Sequence, residues 1–311
     1  MNIYVITLNW NGKEDTLHCL ESLKHMVTPH TVVIVDNGST DDSVETISKA
    51  YPNYHLIETG ENLGYAEGNN IGIQYALDQG ASHLLILNND TIVTTDFLEN
   101  FLKRDLPIQG GKGHLMEEPF ILDLLGGNWN SKTGKMEIIG RRDSPAIWTK
   151  PIILDYISGA AMFIKAELFN NVGLFDPTFF LIWEEVDWCF RAKKLGYPSY
   201  VCPEAIYFHK KSASFNQRGH TTYFWWRNQL LFLEKNFSRA VRKKWTKAIL
   251  KESFECFKVY LHLFFRHLFF QKNKKCTNRF IYCKSVYAGV RDYLLRRFGN
   301  CPSWILKSRS R

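Results

Sequence analysis

The sequence predicts an α/β fold, a doubly wound, mostly parallel sheet flanked by helices, followed by a helical, basic C-terminal extension. Three observations carry this. The run Leu84-Leu85-Ile86-Leu87 ends in Asn88-Asn89-Asp90, which reads as a strand buried on both faces that delivers a carboxylate to its C-terminal edge. Residues 1–90 alternate strand-like with helix-like segments, the pattern of parallel strands joined by crossover helices. Finally, residues 1–241 hold 21 Lys and Arg against 28 Asp and Glu, whereas residues 242–311 hold 18 against 3. The formal charge of +8 is therefore an acidic body of −7 with a basic tail of +15.

Each element follows from local pattern. Ile3 to Leu8 is rich in β-formers, and Asp15 to Met26 sets Leu17, Leu20 and Leu23 at helical spacing. Thr31 to Val35 is a buried strand by composition; Asp36-Asn37-Gly38 follows, then Ser39 and Asp42 at the spacing of a capping pair ahead of Val44 and Ile47. Tyr54 to Glu58 is a third strand, and a helix through Ile73, Tyr75, Ala76 and Leu77 leads to Leu84. Asp36 and Asp90 thus end two strands of one sheet, at the edge where open α/β sheets bind ligands. Asn-rich ends of this kind also serve as plain turns.

Residues 107–150, rich in Gly, Lys and Asn, read as loops and short strands that could cover the site. Ser158 to Lys165 is a buried strand entered through a glycine, Glu167 to Val172 a short helix, and Glu184 to Arg191 a helix that stops by Gly196. Ala205 to Phe208 is a last short strand delivering His209, and a helix opens at Tyr223. Between Lys251 and Phe270 the polar residues Lys251, Glu255, Lys258, His262 and Arg266 form a narrow stripe on an otherwise apolar helix. Such a helix suits a membrane interface or packs on the domain with its stripe in water, and its charges make it a poor spanning helix.

Composition bounds the class. With 45% hydrophobic residues in 311 the chain has enough apolar surface for a full core. Its seven cysteines show neither a disulfide framework nor the spacing of a zinc site, which points to a reduced, cytosolic protein. Met1 to Leu8 lacks the basic start of a signal peptide and reads as a first strand. The basic tail asks for an anionic partner, phospholipid or nucleic acid, and no nucleic-acid recognition motif accompanies it.

Four motifs occur in order: Val35-Asp36-Asn37-Gly38-Ser39-Thr40-Asp41; Asn62-x-Gly64-Tyr65-Ala66-x-Gly68-Asn69-Asn70-x-Gly72; Asn88-Asn89-Asp90; and Glu184-Glu185-x-Asp187-Trp188-Cys189-x-Arg191. Together they resemble glycosyltransferase family 2, in particular its bacterial rhamnosyltransferase-like branch, over about residues 2–235, and Ser285 to Gly299 resembles that branch's closing segment. The resemblance implies a GT-A type, Rossmann-like transferase domain over residues 1–235. Its nucleotide-binding half covers about 1–105 and its acceptor half about 106–235, with 236–311 as the basic amphipathic extension.

It also implies roles. Asp36 matches the aspartate that hydrogen-bonds the nucleotide base, and helix capping is its alternative. Asn9, Asn37, Asn62, Gly64, Gly68, Asn69 and Asn89 fall to the donor nucleotide, the glycines either admitting its backbone approach or making a turn. The family's acidic metal-binding triplet is reduced to Asn88-Asn89-Asp90, so Asp90 is the sole acid there. One carboxylate suffices when Mg²⁺ or Mn²⁺ is also held by donor phosphate and water, at the cost of weak affinity without the nucleotide. His209 matches a second metal ligand and would favour Mn²⁺, although a histidine after a strand is commonly structural. Glu185 stands where relatives carry the catalytic base, usually as Asp, with Glu184 and Asp187 as runners-up.

The expectation is an inverting, metal-dependent transfer from a nucleotide-sugar to a glycan or lipid-linked glycan in bacterial surface polysaccharide synthesis. The resemblance suggests dTDP-L-rhamnose as donor, with UDP-hexoses as the alternative. The tail suggests a cytoplasmic protein in peripheral contact with the anionic inner membrane face, without nucleic acid. The competing class is a non-catalytic nucleotide- or glycan-binding scaffold of the same fold, for which Asn88 and Asn89 leave room.

Overall fold

The computed structural model describes residues 1–210, 219–269 and 274–307, the side chains of 266–269, 274–276 and 307 excepted. In chain order the strands are β1 (Ile3–Asn9), β2 (Thr31–Asp36), β3 (His55–Glu58), β4 (His83–Asn88), β5 (Thr91–Val93), β6 (Ile108–Leu115), β7 (Gly126–Asn130), β8 (Lys135–Ile139), β9 (Ile152–Leu154), β10 (Tyr156–Ile157), β11 (Ala161–Lys165) and β12 (Ser199–His209). The α-helices are α1 (Lys13–Lys24), α2 (Ser43–Ala50), α3 (Gly64–Asp78), α4 (Phe97–Leu102), α5 (Glu167–Val172), α6 (Glu184–Lys194), α7 (Gly219–Asn236), α8 (Arg239–Phe269), α9 (Lys274–Leu294) and α10 (Ser303–Lys307).

The main sheet runs β3-β2-β1-β4-β11-β6-β12-β5, with β9 beside β12. The first four strands are parallel, as the buried apolar runs predict, and β6 pairs parallel with β12. β11 runs antiparallel between β4 and β6. The strand order reverses at β1, so β1, β2 and β4 end together at the edge that holds Asn9, Asp36 and Asn88. Beneath them, Val5, Leu20, Leu23, Ile34, Leu85 and Leu87 are buried in one core cluster.

Two glycines of α3 set how closely this helix approaches the sheet. A Cβ at Gly68 would lie 2.5 Å from a methyl of Leu8, and one at Gly72 would lie 2.6 Å from Ile6 and 3.0 Å from Val35. Gly68 is therefore explained by helix-to-sheet packing, where the sequence left ligand approach and a turn as the alternatives.

Several elements differ from the sequence reading. The stretch 107–150 contains β6, an inner strand of the main sheet, as well as β7 and β8, which pair with β10 in a separate small sheet. Its glycines hid it: side chains at 110 and 113 would collide with Ile157 and Tyr207, at 2.8 and 2.5 Å. The last strand begins at Ser199, not Ala205, with an irregularity between Val201 and Ile206. Ser39 and Asp42 do not cap α2: the Asp42 carboxylate receives Lys13 Nζ at 2.7 Å, and Ser39 Oγ donates to Asp36. The helix expected from Tyr223 starts at Gly219, and the one expected over Lys251–Phe270 runs Arg239–Phe269; Phe270 and the side chain of Arg266 lie outside the described residues.

The chain divides into two compact units, one of Met1–Asp176 with Trp188–Ser212, the other of Pro177–Asp187 with Ala213–Arg311. The second thus takes in α7 and the segment leading into α6, where the sequence placed a boundary at residue 235. Its own core joins Phe180, Tyr223, Phe224, Ala288, Cys301 and Ile305. Among the described residues no helix is long and apolar enough to cross a membrane.

Candidate active site

In the first unit, a hydrogen-bond chain links three strand ends. The Asp36 carboxylate is buried at the end of β2 and accepts from Asn9 Nδ2 (2.7 Å), Ser39 N (2.8 Å) and Ser39 Oγ (2.7 Å). On the other side of Asn9, its Oδ1 accepts from Thr16 Oγ1 at 2.8 Å, and Thr16 Oγ1 in turn accepts from Asn89 Nδ2 at 2.8 Å. The turn after β4 is thereby tied to the turn after β2 through residues on β1 and α1. Asn88 is fixed separately, its Oδ1 accepting from Tyr65 OH at 2.9 Å.

The start of α3 is held by side-chain amides. Asn37 Oδ1 accepts from Leu63 N (3.0 Å), Asn37 Nδ2 donates to Gly64 O (3.1 Å), and Asn62 Oδ1 accepts from Gly64 N (2.9 Å). Gly64 itself has φ of 86°, a conformation that glycine adopts without steric penalty. One turn on, Asn69 Nδ2 donates to Tyr65 O at 2.9 Å, while its buried Oδ1 has no partner among the described residues. Asn70 is committed to the fold, exchanging bonds with the backbone N and O of Phe175.

Asp90 and His209 meet. Antiparallel pairing of β12 with β5 sets His209 opposite Thr91, and its Nε2 lies 3.1 Å from Asp90 Oδ1. The other ring nitrogen, Nδ1, lies 2.9 Å from Asp123 Oδ2. Burial opposes a charged imidazole here, but the bonds to Asp123 and Asp90 outweigh it and raise the pKa to about 10. Coordination of a cation through Nε2 requires that nitrogen to release its proton. Carboxylate oxygen and imidazole nitrogen converging in this way suit a divalent cation, and Asp123 on Nδ1 is the outer partner that metal-binding histidines usually have. Among the described residues no group of three His, Cys, Asp or Glu side chains is arranged to hold a metal.

In the second unit, Glu184, Glu185 and Asp187 occupy the first turn of α6. Burial raises the Glu185 pKa to about 7 against the opposing pull of backbone N–H groups, and raises Glu184 well above the ordinary range, with the Glu185 charge adding to it. Oε2 of each, together with Trp183 Nε1, is buried and without a hydrogen-bond partner among the described residues. Asp187 differs: Oδ1 accepts from Asn236 Nδ2 at 2.7 Å, which ties it to α7.

The first unit therefore gathers Asn9, Asp36, Asn37, Asn62, Gly64, Asn69, Asn89, Asp90 and His209 around the ends of β1, β2, β4 and β12, and the second holds the three acids of α6. Sequence reasoning missed Thr16, Ser39 as a partner of Asp36, Tyr65 and Asp123. Only Ser39 and Tyr65 sat within a motif that could have drawn attention to them.

Residues 4–105 match the family model described as Glycosyl transferase family 2. A low-salt glycan biosynthesis hexosyltransferase, Agl10, of Haloferax volcanii is 25% identical over 248 residues, which is 77% of this chain and 78% of that protein. The dTDP-rhamnosyl transferase RfbF of Shigella flexneri is 26% identical over 253 residues, 76% of this chain and 81% of its own length. Among solved structures, the mannosyltransferase PcManGT from Pyrobaculum calidifontis, in complex with GDP-Man and Mn²⁺, shares the fold with a TM-score of 0.58 at 12% identity, over 95% of this chain and 87% of that one.

Proposed function

We propose that this chain, a glycosyltransferase of family 2, moves a sugar with inversion from a nucleotide-sugar, foremost dTDP-L-rhamnose, to a glycan or lipid-linked glycan of a bacterial surface polysaccharide. The carrying observation is the meeting of Asp90 and His209 at the C-terminal edge of the sheet, joined through Asn89, Thr16 and Asn9 to Asp36. The similarity to a dTDP-rhamnosyl transferase supports the donor; a UDP-hexose is the alternative.

In this reading Asp36 accepts a hydrogen bond from the base, with Asn9 and Ser39 holding its carboxylate in place. Asn37 and Asn62 fix the start of α3, whose Asn69 offers an unpartnered amide oxygen to the donor. Asp90 Oδ1 and His209 Nε2 would hold Mg²⁺ or, with a nitrogen ligand, preferably Mn²⁺. When bound, such a cation would supply charge stabilisation to the departing nucleoside diphosphate. Glu185 takes the proton from the acceptor hydroxyl, a role that suits a carboxyl whose pKa of about 7 lies near working pH. The exposed Phe254, Leu261, Phe264 and Phe265 of α8, with the tail's net +15, support peripheral contact with an anionic inner membrane face.

A thermal-shift screen of nucleotide-sugars with Mn²⁺ tests the donor, since a ligand that binds only the folded state raises its apparent stability. The proposal expects the largest shift with dTDP-L-rhamnose, release of dTDP from it, and loss of that release in Glu185→Gln. Normal turnover in Glu185→Gln at saturating Mn²⁺ and donor would remove Glu185 as the base.

A further inference from the structure

The segment that leads into α6 has an unusual backbone. Phe180, Ile182 and Trp183 have φ of 64°, 68° and 83°, the left-handed region that L side chains disfavour and where a β-branched residue is an outlier. Such a conformation persists only where its surroundings over-determine it. Directly after it come Glu184 and Glu185.

What holds it is one face of α7. Asn228, fully buried, points Nδ2 into a cup of three backbone carbonyls: Phe179 O at 2.8 Å, Leu181 O at 2.8 Å and Ile182 O at 2.7 Å. Only a donor group satisfies such a cup. The amide cannot turn over, because its Oδ1 accepts from Arg227 Nε at 2.9 Å. Arg227, also fully buried, donates Nη2 to Phe179 O at 2.8 Å and Nη1 to Gly299 O at 2.6 Å, with its guanidinium 4.9 Å from the Phe224 ring. Further along α7, Asn236 holds Asp187. On the far side α9 approaches closely, since a Cβ at Gly289 would lie 2.5 Å from Tyr223 O.

We infer that Arg227 and Asn228 are positioning residues for transfer: they clamp the left-handed turn Phe180–Trp183 and so fix where α6 begins and where its Glu185 carboxyl stands. Asn236 is the second, weaker point of the clamp. The inference rests on the reading of Glu185 as the base. It makes α7, which the sequence placed in the transferase domain, and α9 with the Gly299 loop, which it placed in the extension, part of the machinery that orients the base.

The test uses the full chain and four measurements on Asn228→Ala, Asn236→Ala and Glu185→Gln: amide hydrogen exchange over residues 178–188, affinity for dTDP with Mn²⁺, dTDP release from dTDP-L-rhamnose, and global stability. For Asn228→Ala the clamp predicts exchange over 180–187 at least about tenfold faster with β1 and β4 unchanged. It also predicts kcat lower by about 100-fold, the scale of a small misplacement of a reacting group, with dTDP affinity unchanged. Asn236→Ala shows the same pattern, more weakly. Unchanged exchange over 180–187 in Asn228→Ala overturns the clamp, as does faster exchange throughout the molecule, which marks simple destabilisation. The exchange measurement needs no substrate. Glu185→Gln separates the two claims: full turnover there overturns the base and leaves the exchange result to decide the clamp, whereas lost turnover with unaltered exchange assigns the chemistry to Glu185 itself.

Discussion

His209 owes its orientation to a residue that no motif contains. Asp123 takes Nδ1 at 2.9 Å and leaves Nε2 facing Asp90, so the ring has one geometry to offer a cation. Outer partners of this kind are worth about 10–100-fold in metal affinity. Asp123→Asn is therefore expected to weaken Mn²⁺ binding in the presence of dTDP by that factor, read from the paramagnetic signal of free Mn²⁺, and to lower the thermal transition, because buried His209 loses a charged partner. An unaltered Mn²⁺ titration would show that Asp123 has no such part. On the proposal that Glu185 is the base, kcat/KM should fall about tenfold per pH unit below its pKa of about 7, because a base must be unprotonated. The same raised pKa has the opposite sign for stability. The folded state binds the proton more tightly than the unfolded chain, so its contribution is full below pH 4.5 and is lost as pH rises through about 7. Replacing the other buried carboxyl, as in Glu184→Gln, should accordingly stabilise the protein at pH 8, by about 1–3 kcal/mol in urea unfolding. Motif order singles out Asp90 and Glu185 as candidates, and the strand that ends at His209 singles out the histidine. Asp123 was not legible, since it lies in a Gly- and Asn-rich stretch and meets His209 only through the pairing of β6 with β12.

Helix α3 shows how a motif mixes two demands. Its glycines sit among asparagines that bond Tyr65 O and the backbone of Phe175, yet Gly68 and Gly72 face the sheet. Alanine at 68 meets the end of Leu8, a side chain that can swing aside, while alanine at 72 meets Ile6 and Val35, stiff β-branched residues with one preferred rotamer. Gly72→Ala should cost about 1–3 kcal/mol and Gly68→Ala less; equal midpoints in denaturant would contradict this account. The parallel half of the fold was readable because β1, β2 and β4 are apolar runs separated by helical periods. β6 was not: its glycines at 110, 111 and 113 make room for Ile157 and Tyr207, so the information that marks it as a strand lies in its neighbours. The same holds for α7. Its buried Arg227 and Asn228 look like ordinary helix-surface residues until the left-handed turn that they hold is known.

For the molecule as a whole, charge is the property the sequence states most directly, and the structure gives it a surface. Along α8 the exposed positions pass from Lys247, Lys251 and Lys258, interspersed with Glu252 and Glu255, to Leu261, Phe264 and Phe265; on the proposal of membrane contact the cations meet lipid headgroups and the rings enter the interface. Each cation near an anionic bilayer contributes about 1 kcal/mol. Lys251→Gln combined with Lys258→Gln should then weaken binding to phosphatidylglycerol vesicles about 30-fold, measured by sedimentation; wild-type binding would remove α8 as the contact. The division of the chain, by contrast, could not be read from composition, because α7 has the sequence of a body helix and the contacts of a tail helix.

The bond from Arg227 Nη1 to Gly299 O has a practical corollary for anyone wishing to pare the enzyme down. A chain cut before α9 would leave Arg227 with Phe179 O and Asn228 Oδ1 but take away the acceptor of Nη1, and a charged group that loses a hydrogen bond inside a protein is costly. Shortened versions should fail for that reason, whatever their behaviour toward lipid. A test of whether α8 binds lipid therefore belongs on an intact chain, with the outside of that helix repainted one residue at a time.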